Sequence, residues 1–143
     1  MKVNYKLLST SAKPPVYSSV SAGGADLHND SGDLVIESNS TVFVGTGVAV
    51  EIPEGYVGLV FARSGLASKQ GLAPANKVGV IDSDYRGEIK VALFNHSTES
   101  RAIKQGERIA QMVVVPFLKC DFCEGELSET ARGEGGFGST GKN

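Results

Sequence analysis

Cysteine is scarce: two occur in 143 residues, both in the run CDFC as Cys120 and Cys123. Two thiols cannot close a structural zinc site, and no second CxxC is present to complete one. If this run is a strand, residues three apart point to opposite faces, which also argues against a redox pair. A basic stripe is missing too. Net charge is −2, with acids and bases mixed along the chain, which argues against a nucleic-acid or membrane surface. The opening MKVNYKLLST has no apolar core of signal-peptide length, and no later run approaches a membrane span. These absences set the expectation of a soluble protein in a reducing, intracellular setting, cytoplasm or nucleus. The two histidines, His28 and His96, fall outside any ligand-like spacing and are expected in loops or at the surface.

No long helical period, internal repeat, charge block or interdomain linker breaks the chain. What it has instead is short runs rich in Val, Ile and Phe, punctuated by Gly, Pro, Asn and Asp. LVIES, TVFVGTGVAVEIP, YVGLVFA, EIKVALFN and AQMVVVPFL all read as strands. In EIKVALFN, Ile89, Val91 and Leu93 share one face while Glu88 and Lys90 lie on the other, the pattern of a half-buried strand. The one helix candidate is short, Ser64 to Gln70, bounded by Gly65 and Gly71. The pattern implies one all-β domain, a sandwich, jelly roll or barrel. A chain of this size buries about two-thirds of the surface its unfolded form exposes, so it needs no covalent staple.

The ending RGEGGFGSTGKN differs from all of this. Between Gly133 and Gly141 it holds five glycines and a single large apolar residue, Phe137. Such a segment buries too little to fold alone and is expected to stay mobile until a ligand orders it. Glycines let backbone N–H groups turn toward an anion, and Arg132, Ser139 and Thr140 could complete a phosphate clamp. GFGSTGK matches a P-loop up to its lysine, but Asn143 follows where Ser or Thr is required. The strand before and the helix after are missing as well, so it is not a Walker A site.

Four of the five arginines, Arg63, Arg86, Arg108 and Arg132, lie near glycine in polar breaks between the expected strands. The candidate carboxylates sit similarly: Asp26 in GGADLHND, and Asp82 and Asp84 in GVIDSDYRG. Arginine with hydroxyl and backbone donors suits a polyphosphate, and nearby carboxylates suit Mg²⁺ sharing phosphate oxygens. Taken singly, each of these residues is more often a surface ion pair or a turn cap than part of a site. The set carries the argument. Gly79 to Asn95 reads as a strand, a turn and a second strand; taken alone it is an ordinary hairpin whose Asp and Gly shape the turn, though its mouth could also read the edge of a flat base.

In order along the chain, AGGADL, ARSGLA, GVIDSDYRGE, GERIAQM and RGEGGFGSTG resemble the motifs of the dUTPase family, the homotrimeric dUTP nucleotidohydrolases, from Ala22 to Gly141. Two positions depart from the usual pattern: Ala62 where proline is common and Ala25 where an aromatic is frequent. Both are expected to affect loop shape rather than reacting groups. The resemblance implies a jelly roll or distorted β-barrel over residues 1–125, with residues 126–143 a flexible arm closing over a neighbouring subunit's site. It implies a homotrimer with shared active sites and Mg²⁺ as cofactor. The implied reaction takes dUTP and water to dUMP and pyrophosphate, lowering dUTP and supplying dUMP for thymidylate synthesis. Asp82 is then the base for the attacking water, and Asp26 holds the metal through water. Arg63, Ser64, Gly65 and Gln111 are expected on the phosphates, and Tyr85 under the deoxyribose. Asn76, Gly79 and Ile81 would read uracil. From the arm, Phe137 would stack on the base while Arg132, Gly138, Ser139 and Thr140 close over the phosphates.

Two other readings compete with this one. The related dCTP deaminases resemble this chain in fold, but they carry a catalytic Glu where Ala92 stands and lack the glycine-rich ending. A nucleotide-sensing binding protein of the same fold is the remaining alternative.

Overall fold

Ile89, Val91 and Leu93 are buried together, as their alternation requires, while Lys90 is exposed. The same logic recurs along the whole chain. A computed structural model describes residues 1–136. Its elements are β1 (Asn4–Leu7), β2 (Val16–Tyr17), β3 (Ala25–His28), β4 (Leu34–Ile36), β5 (Thr41–Gly45) and β6 (Val48–Glu51). Next come β7 (Tyr56–Phe61), α1 (Ser64–Gln70), β8 (Leu72–Pro74) and β9 (Val78–Ile81). The series ends with β10 (Lys90–Asn95), β11 (Arg101–Ile103) and β12 (Arg108–Pro116).

All the strand pairings are antiparallel. A five-stranded sheet in the order β2-β3-β12-β7-β9 forms the largest layer. A three-stranded sheet, β5-β10-β8, and the two-stranded pairs β1-β6 and β11-β4 complete the arrangement. It is a β jelly roll; the ladders stay separate rather than closing into a barrel. One apolar cluster unites them, with Leu27, Val44, Leu72, Leu93 and Ile109 contributed by different strands. Each such fully buried side chain is worth roughly 1.5–3 kcal/mol. Two buried asparagines hold the connections. Asn95 donates from Nδ2 to the carbonyls of Ile36 (2.9 Å) and Glu99 (2.8 Å), and Asn29 donates to Gly32 (2.7 Å) and Lys104 (3.0 Å). No buried amide is left unpaired there, which is the condition for tolerating a polar group inside.

The helix falls where the sequence puts it, and Gly71 ends it at φ 69°, a left-handed position that suits glycine. Other expectations need correction. The segments around Asp82 are not a hairpin, because β9 pairs with β7 while β10 pairs with β5 and β8. Asp26 and Ala25 lie inside β3, not in a loop, and Ala25 is buried opposite Met112. His28 ends the same strand, with its Nδ1 buried and unpartnered. His96 follows β10 and meets Phe94 edge-on at 4.4 Å. Among the described residues regular structure stops at Pro116, so the CDFC run is not a strand. Short strands such as ADLH and LAP escape sequence reading because two to four residues carry no usable period.

Candidate functional site

The local folding of β12 decides what stands beside Asp26. Its register against β3 shifts between Arg108 and Ala110, a bulge that places Gln111 rather than Ala110 opposite Asp26. On its other side Gln111 pairs with Phe61, and its Nε2 donates to the carbonyl of Ala62 (2.9 Å). Gly24 lies against that side chain: an added Cβ would stand 2.7 Å from Gln111 Oε1. By contrast, a Cβ at Gly23 or Gly65 would meet nothing within 4 Å.

Asp26 is only 7% exposed and is held by two cations. Arg63 Nε lies 2.9 Å from one carboxylate oxygen, and an Arg108 terminal nitrogen lies 3.1 Å from the other. Arg63 also donates to the Arg108 carbonyl (3.3 Å), which ties the end of β7 to the start of β12. Ser64 and Gly65 open α1, which has no side-chain cap, so N–H groups of its first turn remain for another acceptor. Asp26, Arg63, Ser64, Gly65 and Gln111 line one polar cleft of about 250 Å³. Ser18 lines it too, and no motif signal marked it.

The other expected residues gather elsewhere. Ile81, Asp82 and Tyr85 line a second cleft of about 270 Å³ with Phe43, Val80 and Lys90. Tyr85 donates to the Glu88 carbonyl (2.9 Å), and its ring lies against Gly87, where no Cβ would fit. Arg86 donates to the carbonyls of Ser83 (2.6 Å) and Tyr85 (3.0 Å) and so braces this turn. The Asp82 carboxylate makes no hydrogen bond or ion pair among the described residues. Gly79 packs against Val60 in β7, and Asn76 lies at the preceding turn with its amide near Gly79. Arg132 lines neither cleft; its Nε donates to Gly135 (2.7 Å) in an exposed turn. Phe137, Gly138, Ser139 and Thr140 lie outside the described residues.

The two clefts share no residue, and β7 explains why. Arg63 follows the C-terminal end of β7, whereas Ile81 pairs with Gly58 near its start, so Asp82 emerges at the opposite end. The levels of Phe61 and Val57 are about 13 Å apart along a strand. One chain therefore cannot bring Asp82 and Arg63 to the same phosphate.

Nothing metal-like forms from protein groups alone, since no three Asp, Glu, His or Cys side chains converge among the described residues. Asp26 nevertheless fits a cation held through water. Its oxygens offer about four lone-pair positions, and the two arginines use one each.

A family model for dUTPase matches residues 10–141. The chain belongs to the dUTPase family. Among its relatives, the deoxyuridine 5′-triphosphate nucleotidohydrolase of Nautilia profundicola is 50% identical, over 99% of this chain and 100% of that one. That of Desulfitobacterium hafniense is 51% identical, over 99% and 95%. Among solved structures, the Staphylococcus bacteriophage 80alpha dUTPase with dUpNHpp superposes at a TM-score of 0.89. It is 32% identical and each chain covers 98% of the other. A dUTPase mutant of phage phi11 of S. aureus, described as coordinating a structural Mg(II) ion, superposes at 0.81 with 27% identity. The alignment covers 89% of this chain and 98% of that one. The first four dUTPase motifs of this chain thus sort into two groups. The first, second and fourth share the polar cleft, and the third lies at the far end of β7. No helix among the described residues is long and apolar enough to cross a membrane.

Proposed function

We propose that the chain hydrolyses dUTP to dUMP and pyrophosphate, at sites shared between the subunits of a homotrimer. The observation that carries the assignment of roles is the contrast between two carboxylates. Asp26 has both oxygens paired with guanidinium groups, whereas Asp82 has no protein partner among the described residues. A carboxylate already committed to two arginines is poorly suited to accept a proton. An unpartnered, exposed one can hold a water in line with the α-phosphorus, which is what phosphoryl transfer asks of a protein.

The rest of the site follows from the chemistry of each cleft. Arg63, Ser64, Gly65 and Gln111 supply donors to phosphate oxygens, and the open space at Gly23 and Gly65 lets the backbone approach them. Mg²⁺, when bound, spreads the triphosphate charge, and Asp26 would orient its waters. β9 is the edge strand of its sheet. Gly79 and Ile81, two residues apart, present their main-chain groups to the same side, in keeping with recognition of uracil beside Asn76. Cytosine reverses the hydrogen-bonding polarity at one edge of the base, so a fixed backbone rejects it by leaving buried groups unpaired. Tyr85, propped by Glu88 and Gly87, would lie under the deoxyribose. Arg132, Phe137, Gly138, Ser139 and Thr140 would close the site from a third subunit and exclude other water. The separation of the clefts along β7 supports shared sites, since Asp82 of one subunit needs the polar cleft of another.

Deamination finds no support in the residues: Ala92 sits in β10 opposite Phe43, without a carboxylate at that position. The test follows products from dUTP, dCTP, dTTP and UTP with Mg²⁺. The expected result is dUMP and pyrophosphate from dUTP alone. Binding of dUTP without turnover would overturn the enzyme reading in favour of a nucleotide sensor.

A further inference from the structure

We propose that Cys120 and Cys123 form a reversible dithiol–disulfide site in the stretch that follows β12. A spacing of three argues against pairing only in a strand, and the chain is not a strand here. Both cysteines are free and exposed, and both lie outside every helix and strand. Among the described residues, 118–129 make no backbone–backbone hydrogen bond. Bending this stretch therefore breaks no ladder.

Geometry sets what the bond does. Three fully extended residues span about 10 Å, whereas a disulfide holds its Cα atoms about 4.4–6.8 Å apart. The intervening Asp121 and Phe122 include neither proline nor a β-branched residue, and Phe122 is 97% exposed, so no packing resists the turn. Closing so short a loop makes the second thiol a far better partner for the first than a thiol on another molecule. Relative to a fully extended run, the bond draws Cys120 and Cys123 closer by several ångströms.

The oxidant is a small-molecule disulfide such as glutathione disulfide. One cysteine thiolate attacks a sulfur of it, forming a mixed disulfide and releasing one glutathione thiolate. The other cysteine thiolate attacks the protein sulfur of the mixed disulfide, closing the ring and releasing the second glutathione thiolate. Two protein thiols have lost two protons and two electrons, and one glutathione disulfide has become two thiols.

The experiment equilibrates the full-length protein in glutathione buffers of increasing oxidised fraction, alkylates remaining thiols and weighs the intact chain. The expected result is joint loss of both alkylation sites, a mass two hydrogens lower, no retained glutathione, and full recovery with dithiothreitol. Cys120→Ser should instead keep one glutathione adduct on Cys123. Two glutathione adducts per chain, chain-to-chain disulfides, or thiols that stay reduced throughout would each overturn the proposal. The readout is independent of dUTP turnover, so failure of the functional reading leaves it standing.

Discussion

Gln111 stands opposite Asp26 because one extra residue is accommodated in β12 between Arg108 and Ala110. That bulge keeps Ile109 and Ala110 both buried while setting Arg108 against the Asp26 carboxylate and Gln111 in the polar cleft. Site geometry and core packing are thus set by the same local irregularity, and the glycine that faces Gln111 is part of it.

Gly24→Ala tests that dependence. Its methyl would meet Gln111 Oε1 at 2.7 Å and Gln111 Cβ at 3.2 Å. The side chain must leave the Ala62 carbonyl, at a cost of about 1–3 kcal/mol for overpacking. Gly23→Ala is the control: its methyl meets nothing, so stability should hold or rise by about 0.4–1 kcal/mol. Urea unfolding of both variants separates them, and equal losses would refute the packing argument.

Asp26→Ala leaves Arg63 and Arg108 facing each other without their shared counter-ion. A fully buried pair broken this way costs about 3–5 kcal/mol, but the arginines are partly exposed, so a loss of about 1–3 kcal/mol is expected. Asp26→Asn should lose less, because an amide oxygen still accepts from one arginine. Denaturant midpoints for the two variants check the order. If both match the parent protein, the ion pairs contribute nothing to stability.

How much of this was legible in advance depends on the length of the signal. The strands that became β4 to β7, β10 and β12, and the helix between two glycines, are marked by alternation or by breakers. Asp26 read as a turn residue because GGAD is polar and β3 is only four residues long; its strand character comes from pairing with β12, whose partner residues lie 80 to 87 positions away in sequence. The hairpin reading failed for the same reason, since β9 and β10 find distant partners instead of each other. Site residues were legible by type but their grouping was not. Nothing in the local sequence says that Asp82 emerges at the opposite end of β7 from Arg63.

His28 gives a pH dependence with a definite sign. Burial holds its pKa below the ordinary 6.5, with Lys13, Arg108 and Arg63 adding to the effect and Asp26 opposing it. The unfolded chain then binds a proton more readily than the fold. Stability is full above pH 6.5 and falls as pH drops through the lowered folded value. Asp30, held chiefly by Ser9 and also by Ser11 and Gln105, loses its contribution only below 3.8, a separate window. Unfolding midpoints measured from pH 7.5 to 5 should decline in the parent protein and less in His28→Phe. Parallel curves would assign the decline to other groups.

Asp82→Asn should leave the fold untouched and stop the chemistry. Its carboxylate makes no contact among the described residues, so unfolding free energy should change by no more than about 0.5 kcal/mol. Loss of the group that activates water should lower kcat by about 10²–10⁴ with little change in affinity for dUTP. Single-turnover product release and equilibrium binding on the same preparation decide it. A variant that retains turnover would move the base elsewhere.

Asp82 and Arg63, at opposite ends of β7, make the assembly itself testable. Each site of a cyclic trimer would take Asp82 from one subunit and Arg63 from its neighbour, a head-to-tail relation that closes on itself. Asp82→Asn and Arg63→Gln chains are each expected to be nearly inactive alone. Unfolded together in equal amounts and refolded, they mix at random. A site is then restored when its Asp82 comes from an Arg63→Gln chain and its Arg63 from an Asp82→Asn chain. Two independent halves give about a quarter of the parent activity. Sites contained within single chains give none, because every chain carries one defect. Light scattering on the refolded mixture fixes the subunit count, so recovery of activity in a trimer establishes sharing, and a trimer without recovery rejects it.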